Sequence, residues 1–349
     1  MRPAGEGSAA GGKPSLPEAI LARMPSLSRI PTWAWKLALL AATAIWGASY
    51  LVSKDLLDTV APSWLVGVRS LAAGVILGAI LAPRIRALLI SSSTGTSAAT
   101  GTTGAPAPPD APAAHSALRT LGAGAALGVL DFAAQLSQTA GLAATTPGIS
   151  AFLTATYCVI VPFAAWALLR LRPRAAHLAA AAIALAGIWL VSVSSTGEHL
   201  SIGRGEALTL VAAFFYALHI VCVTSFSAKR DVLVMTVVQF LVEGLLGCFV
   251  GAASCAFTGE PSGLAAIDAE MLAQFAFLVL FCAIFCFGVQ NLALTRVDPT
   301  QASLILSLES VFGVLFSVAL FGEELTARLL VGFALIFCAI VASELAGKR

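Results

Sequence analysis

Arg69, Asp131, His219, Glu243 and Glu309 each lie well inside a long apolar run. A charge at the centre of a bilayer costs about 2.5–3.5 kcal/mol on insertion scales, so such groups are kept only where they are paired, neutralised or wet. Asp131, Gln135 and Gln138 recur at i, i+4 and i+7, which places them on one helix face. Lipid cannot satisfy that face, so it must turn toward a bundle interior or a water-filled cavity. Ser303, Ser307 and Ser310 form a polar stripe beside Glu309. That stripe either lines such a cavity or bonds back to helix carbonyls. Burial raises a carboxylate's pKa and a nearby cation lowers it. Glu309 therefore reads as a proton site or as a counter-ion of Arg69. Asp131, Glu243 and Glu309 are the candidates for proton coupling. Arg69 either snorkels to the outer interface or pairs with Asp131 or Glu309. Glu243 adjoins Gly244 in a small-residue run, where a neutral acid at a helix contact is the plainer reading.

Aromatic and amide groups extend the constellation. Trp46 and Tyr50 lie on the first apolar run, Tyr216 and His219 on the sixth. Their rings either pack or meet a ring or cation of a solute. Gln138, Gln290 and Asn291 offer paired donors and acceptors. Together with Ser303, Ser307 and Glu309 these residues form a candidate path for a small organic solute; the bland alternative is a set of interhelical polar clamps. Seven cysteines all fall in apolar runs. Cys282 and Cys286 share a face without a second ligand pair, so neither a metal nor a cofactor is expected. The chain carries no phosphate-binding Gly-rich loop ending in Lys-Ser/Thr and no His-Glu-x-x-His, and nothing points to an enzyme or to nucleic acid.

These residues need elements that can hold them at depth in a membrane. The chain is 58% hydrophobic and 11% charged, with a mean hydropathy of +0.92. A soluble domain carries about 25% charged residues. Ten apolar runs are long enough to span, at 33–53, 62–81, 118–142, 147–169, 175–193, 206–226, 233–257, 271–294, 299–321 and 327–345. Residues 1–32 read as a polar tail, and the low-complexity stretch 91–117 as a disordered loop. With the N-terminus inside, only Lys54, Arg69, Arg204 and Arg328 of the 20 Lys and Arg residues escape the cytoplasmic segments. That bias sets an N-in, C-in orientation. Asp55, Asp58, Glu198, Glu206, Glu260, Asp268, Glu270, Glu323 and Glu324 fall on the opposite side. Trp33, Trp35, Trp64, Trp166 and Trp189 sit near span ends, where an interfacial belt is expected, and Trp46 does not.

The chain also repeats. A shift of 170 residues lays Ala44-Ile45-Trp46-Gly47-Ala48 on Phe214-Phe215-Tyr216-Ala217-Leu218, Arg69 on Gln239 and Gly74 on Gly244. A shift of 152 pairs Gln138 with Gln290 and Pro147 with Pro299, the difference being the loose insert. Five spans per half is an odd number, so the second copy must sit upside down, a common plan for secondary transporters. Gly74/Gly78, Gly124/Gly128 and Gly247/Gly251 are small-xxx-small pairs suited to close helix approach.

Three segments carry a resemblance. They are Leu39-Leu40-Ala41-Ala42-Thr43-Ala44-Ile45-Trp46-Gly47-Ala48-Ser49-Tyr50, Val68-Arg69-Ser70-Leu71-Ala72-Ala73-Gly74, and Ala302-Ser303-Leu304-Ile305-Leu306-Ser307-Leu308-Glu309-Ser310 with its Gly322-Glu323-Glu324 turn. They resemble EamA-type members of the drug/metabolite transporter superfamily over about residues 33–345. The resemblance implies an all-α integral membrane protein of ten transmembrane helices in two inverted five-helix repeats, at 33–193 and 206–345. Ser310 stands where the family has Pro, implying a straighter ninth helix. The first half has Leu169-Arg170-Leu171-Arg172 in place of a Gly-Glu turn. The expectation is a secondary active transporter moving a small organic metabolite or drug-like solute by alternating access, with proton coupling as an option. It would sit in a bacterial inner membrane, as monomer or homodimer. The alternative is a non-transporting membrane scaffold or assembly factor.

Overall fold

The computed structural model describes residues 31–97, 113–170, 172–192, 202–227, 230–259, 261–293 and 305–346. The described residues are almost all helical. In chain order the helices are α1 (Thr32–Leu56), α2 (Pro62–Ile80), α3 (Ala82–Ser97), α4 (Ala113–Ala143), α5 (Pro147–Ala155), α6 (Tyr157–Leu169), α7 (Ala175–Ser192), α8 (Arg204–Ser227) and α9 (Val232–Thr258). A 3₁₀ turn (Leu264–Ala266) leads to α10 (Ala269–Phe277), a π-helical segment (Leu278–Cys286) and α11 (Phe287–Ala293). Then come α12 (Glu309–Phe321) and α13 (Ala327–Ala346).

Local chemistry fixes the helix starts. Pro62 and Pro147 open α2 and α5, where a missing N–H costs nothing. Asp231 caps α9, accepting from the Leu233 amide at 3.1 Å, and Thr146 caps α5 through the Ile149 amide. Seven helical stretches are long and apolar enough to cross a membrane, and Ala175–Val191, Ile305–Phe321 and Ala327–Ser343 are shorter apolar helices. The bundle's outer faces are oily: Phe257, Leu320 and Phe249 are 90%, 73% and 71% exposed. Its interior holds Asp131, Gln239, Glu243 and a set of buried hydroxyls. Apolar outside and polar inside is the arrangement a bilayer requires.

Close packing is built on small residues. A Cβ on Gly67 would meet the Cys248 backbone, one on Gly74 the Leu241 backbone, and one on Gly78 the Val237 side chain. Gly244 lies on Leu71 and Gly251 on the Trp64 ring. Numbers fall along α9 as they rise along α2, so these two helices run antiparallel. Gly124 and Gly128 bring α4 onto the same α9, against Val238 and Val242. Gly187 and Gly332 join α7 to α13. Helix α1 packs on α12 and the π segment, and α8 on α4, α5 and α6.

The structure revises several sequence readings. The run 147–169 holds as one apolar span, with a one-residue irregularity at Thr156 that separates α5 from α6. The described part of 299–321 is one apolar helix with a tightened turn at Leu308, whose amide bonds to the Ile305 carbonyl just before Glu309. Ser310 Oγ bonds back to the Ser307 carbonyl at 2.8 Å, a contact that bends helices. The run 271–294 widens into a π-helix. Both described ends of the stretch 91–117, read as disordered, are helical: α3 runs to Ser97 and α4 starts at Ala113. On the α4 side the extension runs through alanine, a strong helix former; on the α3 side it runs through Ser, Thr and Gly, against their weak propensity. Residues 1–30, like 98–112, lie outside the described residues. Trp33, Trp166 and Trp189 are at least half exposed, but Trp35 is buried and Trp64 packs over Gly251.

Both halves share a backbone detail. Helix α6 has 13 residues and ends at Arg170 with φ 61°, and α12 has 13 residues and ends at Gly322 with φ 65°. The shift of 152 lays each of these positions on the other.

Candidate functional site

A cavity of about 160 Å³ opens among α1, α2, α4, α8, α9, the π segment and α12. A water needs about 10–15 Å³ on this measure, so there is room for roughly ten. The face of α4 carrying Asp131, Gln135 and Gln138 lines it, with Trp46, Tyr50, Arg69, Tyr216, His219, Glu243, Gln290 and Glu309. Ser307 is buried but does not line it. Ser303 lies outside the described residues, as does the side chain of Asn291.

Two hydrogen-bonded clusters make the walls. In one, Arg69 Nη2 donates to Gln135 Oε1 at 2.7 Å, and Gln239 Nε2 donates to Asp131 Oδ2 at 2.7 Å. Arg69 and Gln239 are the residues the shift of 170 superposes; from the antiparallel pair α2 and α9, each reaches the same helix, α4. Ser70 Oγ donates to Glu243 Oε1 at 2.7 Å, and Glu243 Oε2 has no partner. Arg69 and Asp131 both act electrostatically on Glu243. Arg69 thus neither snorkels outward nor forms the expected ion pair with Asp131 or Glu309. The ion pair found among the described residues is Arg84–Asp231, between α3 and the start of α9.

In the other cluster Gln138 is the hub. Its Oε1 accepts from the Tyr216 hydroxyl at 2.8 Å, and its Nε2 donates to Tyr50 OH at 2.9 Å and Thr154 Oγ1 at 3.1 Å. Tyr50 and Glu309 both line the cavity, within electrostatic reach of each other. Trp46 Nε1 donates to the Cys282 carbonyl at 3.1 Å. Cys282 lies in the π segment, and such wide turns recur at functional sites. Nε2 of His219 is buried without a partner. His219, Gln239 and Gln290 also line a smaller cavity of about 30 Å³ that continues toward Val232.

Tyr157 and Gln239 belong to this site and were missed as candidates. The repeat itself held the signal. The shift of 152 lays Tyr157 on Glu309, and both residues begin a helix just after an irregular turn and line the cavity. Ser49, Ser70 and Thr154 gave none, because small hydroxyls are common in helices.

At the C-terminal end of α4, about one turn beyond Gln138, a different set of contacts ties the bundle. Lys54 Nζ donates to the carbonyls of Leu142, Ala143 and Thr145 at 2.8, 3.0 and 3.0 Å. Glu323 accepts from Thr146 Oγ1 at 2.5 Å, Ser317 Oγ at 2.5 Å and the Gly148 amide at 3.2 Å. Glu206 accepts from Thr145 Oγ1 at 2.7 Å.

The chain resembles known proteins along most of its length. An uncharacterized transporter of Archaeoglobus fulgidus is 27% identical over 215 residues, which are 62% of this chain and 66% of that relative. The match therefore spans just under two thirds of the relative. A solved structure described only as "Crystal structure of protein" superposes with a TM-score of 0.55, at 18% identity, over 90% of this chain and 98% of its own. At that identity the likeness speaks for the fold. Two matches to one family, over residues 33–193 and 203–343, coincide with the two halves of the chain. The apolar exterior, the polar cavity and this double match make the chain a multi-pass membrane protein, and it belongs to the EamA-like transporter family.

Proposed function

We propose that the protein is a secondary active transporter that carries a small organic solute through the central cavity by alternating access. The observation that carries this reading is the cavity itself: Arg69, Asp131, Gln138, Glu243 and Glu309 converge at depth in an apolar bundle. A bundle built only to be a scaffold gains nothing from desolvating three carboxylates, since each is expensive in lipid.

The mechanism we read is a rocking of two inverted five-helix repeats, ten spans in all. Its support is the antiparallel α2–α9 pair. These helices are equivalent under the shift of 170, and Gly74 meets Leu241 as Gly244 meets Leu71. Equivalent helices that run in opposite directions are what a two-fold axis in the membrane plane would produce, and they support this reading. The ties made by Lys54, Glu206 and Glu323 would form the closed gate of this conformation, at the outer side. The smaller cavity beside His219 would lead to the inner side, where Arg84 and Asp231 lie. The bias of Lys and Arg supports cytoplasmic termini, and a bacterial inner membrane is the proposed location. Proton coupling would run through Asp131, Glu243 or Glu309. Two complete halves allow a monomer, and a homodimer is compatible with them.

The test places single cysteines at Ser49, Gln135 and Gln290 in a cysteine-free background and labels them with a membrane-impermeant maleimide. Labelling from either side, in proportions that shift with condition, is expected. Protection from both sides overturns the reading and favours a scaffold. In proteoliposomes, transport indifferent to an imposed pH gradient would remove the proton role.

A further inference from the structure

The two buried acids of the first cluster and Glu323 have protein partners; Glu309 is held differently. Asp131 accepts from Gln239, Glu243 from Ser70, and Arg69 lies within electrostatic reach of Glu243. Glu323 takes two hydroxyls and an amide. Glu309 lies within electrostatic reach of Tyr50, and no Lys, Arg or His among the described residues lies within ion-pair distance of it. It lines the cavity, and Tyr157 lies within its electrostatic reach. Trp46 stands one helical turn from Tyr50 on the same wall, its ring held edge-on to Phe287 at 5.6 Å between centroids. A carboxyl group with no cation partner among the described residues, in a cavity also lined by Trp46, Tyr50 and Tyr157, matches the chemistry that selects an organic ammonium group. Counting charges leads the same way. The cavity is lined by three carboxyl groups against one guanidinium and one imidazole, that of His219, and the guanidinium stands at the wall of Asp131 and Glu243.

We infer that the solute carries a positive charge on a small organic frame, with Glu309 as its counter-ion and Trp46, Tyr50 and Tyr157 around the charged group. This rests on the cavity being the solute path.

The test uses the purified full chain in detergent and three probes of one shape: 2-phenylethylamine, 2-phenylethanol and phenylacetate. Apparent affinity is read from concentration-dependent thermal shifts. The amine should bind at least about tenfold more tightly than the alcohol or the acid, and Glu309→Gln should abolish that preference. Glu309→Asp should keep part of it. Should Glu309→Gln fail to fold, the ranking in the unaltered chain and in Tyr157→Leu still decides. Equal binding of alcohol or acid, no binding of the amine, or a preference that survives Glu309→Gln overturns the inference. Sided labelling at Ser49 separates the two failures. A reachable cavity without cation preference sinks only the solute class, whereas an unreachable one sinks the transport reading as well.

Discussion

Arg170 and Gly322 hold the same left-handed backbone conformation, φ 61° and 65°, at the ends of the equivalent helices α6 and α12. A left-handed residue with a Cβ costs about 1–2 kcal/mol relative to one without. Arg170→Gly should therefore raise the midpoint of thermal unfolding in detergent, and Gly322→Ala should lower it. Equal and small effects of both would show that the two turns are not under the same constraint.

Gly67 and Gly78 both sit on the α2–α9 seam, but they differ in room. A Cβ on Gly67 would lie 2.5 Å from the Cys248 backbone nitrogen, which cannot give way. On Gly78 it would lie 3.3 Å from Val237 Cγ1, a side-chain atom that can shift. Gly67→Ala should cost about 1–3 kcal/mol, as overpacking does, and Gly78→Ala should be near neutral. Urea or heat denaturation of the two variants in one detergent checks the ratio; comparable losses would contradict the seam.

How much of this was legible beforehand depends on what kind of force wrote it. Asp131, Gln135 and Gln138 could be placed on one inward face because helix period and the cost of polar groups in lipid leave no other choice. The repeat was visible at Arg69/Gln239 and Gly74/Gly244, since the two helices meet each other and impose the same small-residue rule on both. The partner of Arg69 was not legible. Pairing by opposite charge suggested Asp131 or Glu309, yet the helix register brings Gln135 within reach instead. Nor were the tightened turn at Leu308 and the nine-residue π segment legible, because both are changes in backbone hydrogen-bond register that apolar periodicity does not record.

Lys54 closes the C-terminal end of α4 with three carbonyl contacts. A cation at a helix C-terminus contributes about 0.3–1 kcal/mol. Lys54→Met keeps the stem and removes the charge. If these contacts belong to a gate, the variant should label faster at Ser49 from the outer side while losing less than about 1 kcal/mol of stability. Unchanged labelling would make Lys54 a helix cap and nothing more.

Gln138 joins the halves, accepting from Tyr216 of α8 and donating to Tyr50 of α1 and Thr154 of α5. Gln138→Leu leaves three hydroxyls without that partner. In a dry core each orphaned group costs about 1–3 kcal/mol. Here the hydroxyls face a cavity with room for water, and water can take over a lost hydrogen bond for about 0–2 kcal/mol of ordering. The stability loss should therefore stay near the bottom of that range. Transport should suffer far more, because water cannot hold Tyr50 and Tyr216 at fixed positions on opposite walls. Proteoliposome flux and a melting curve on the same preparation test both halves of the argument. A variant that melts early but transports normally would make Gln138 a structural strut, and the cluster around it would lose its place in the solute path.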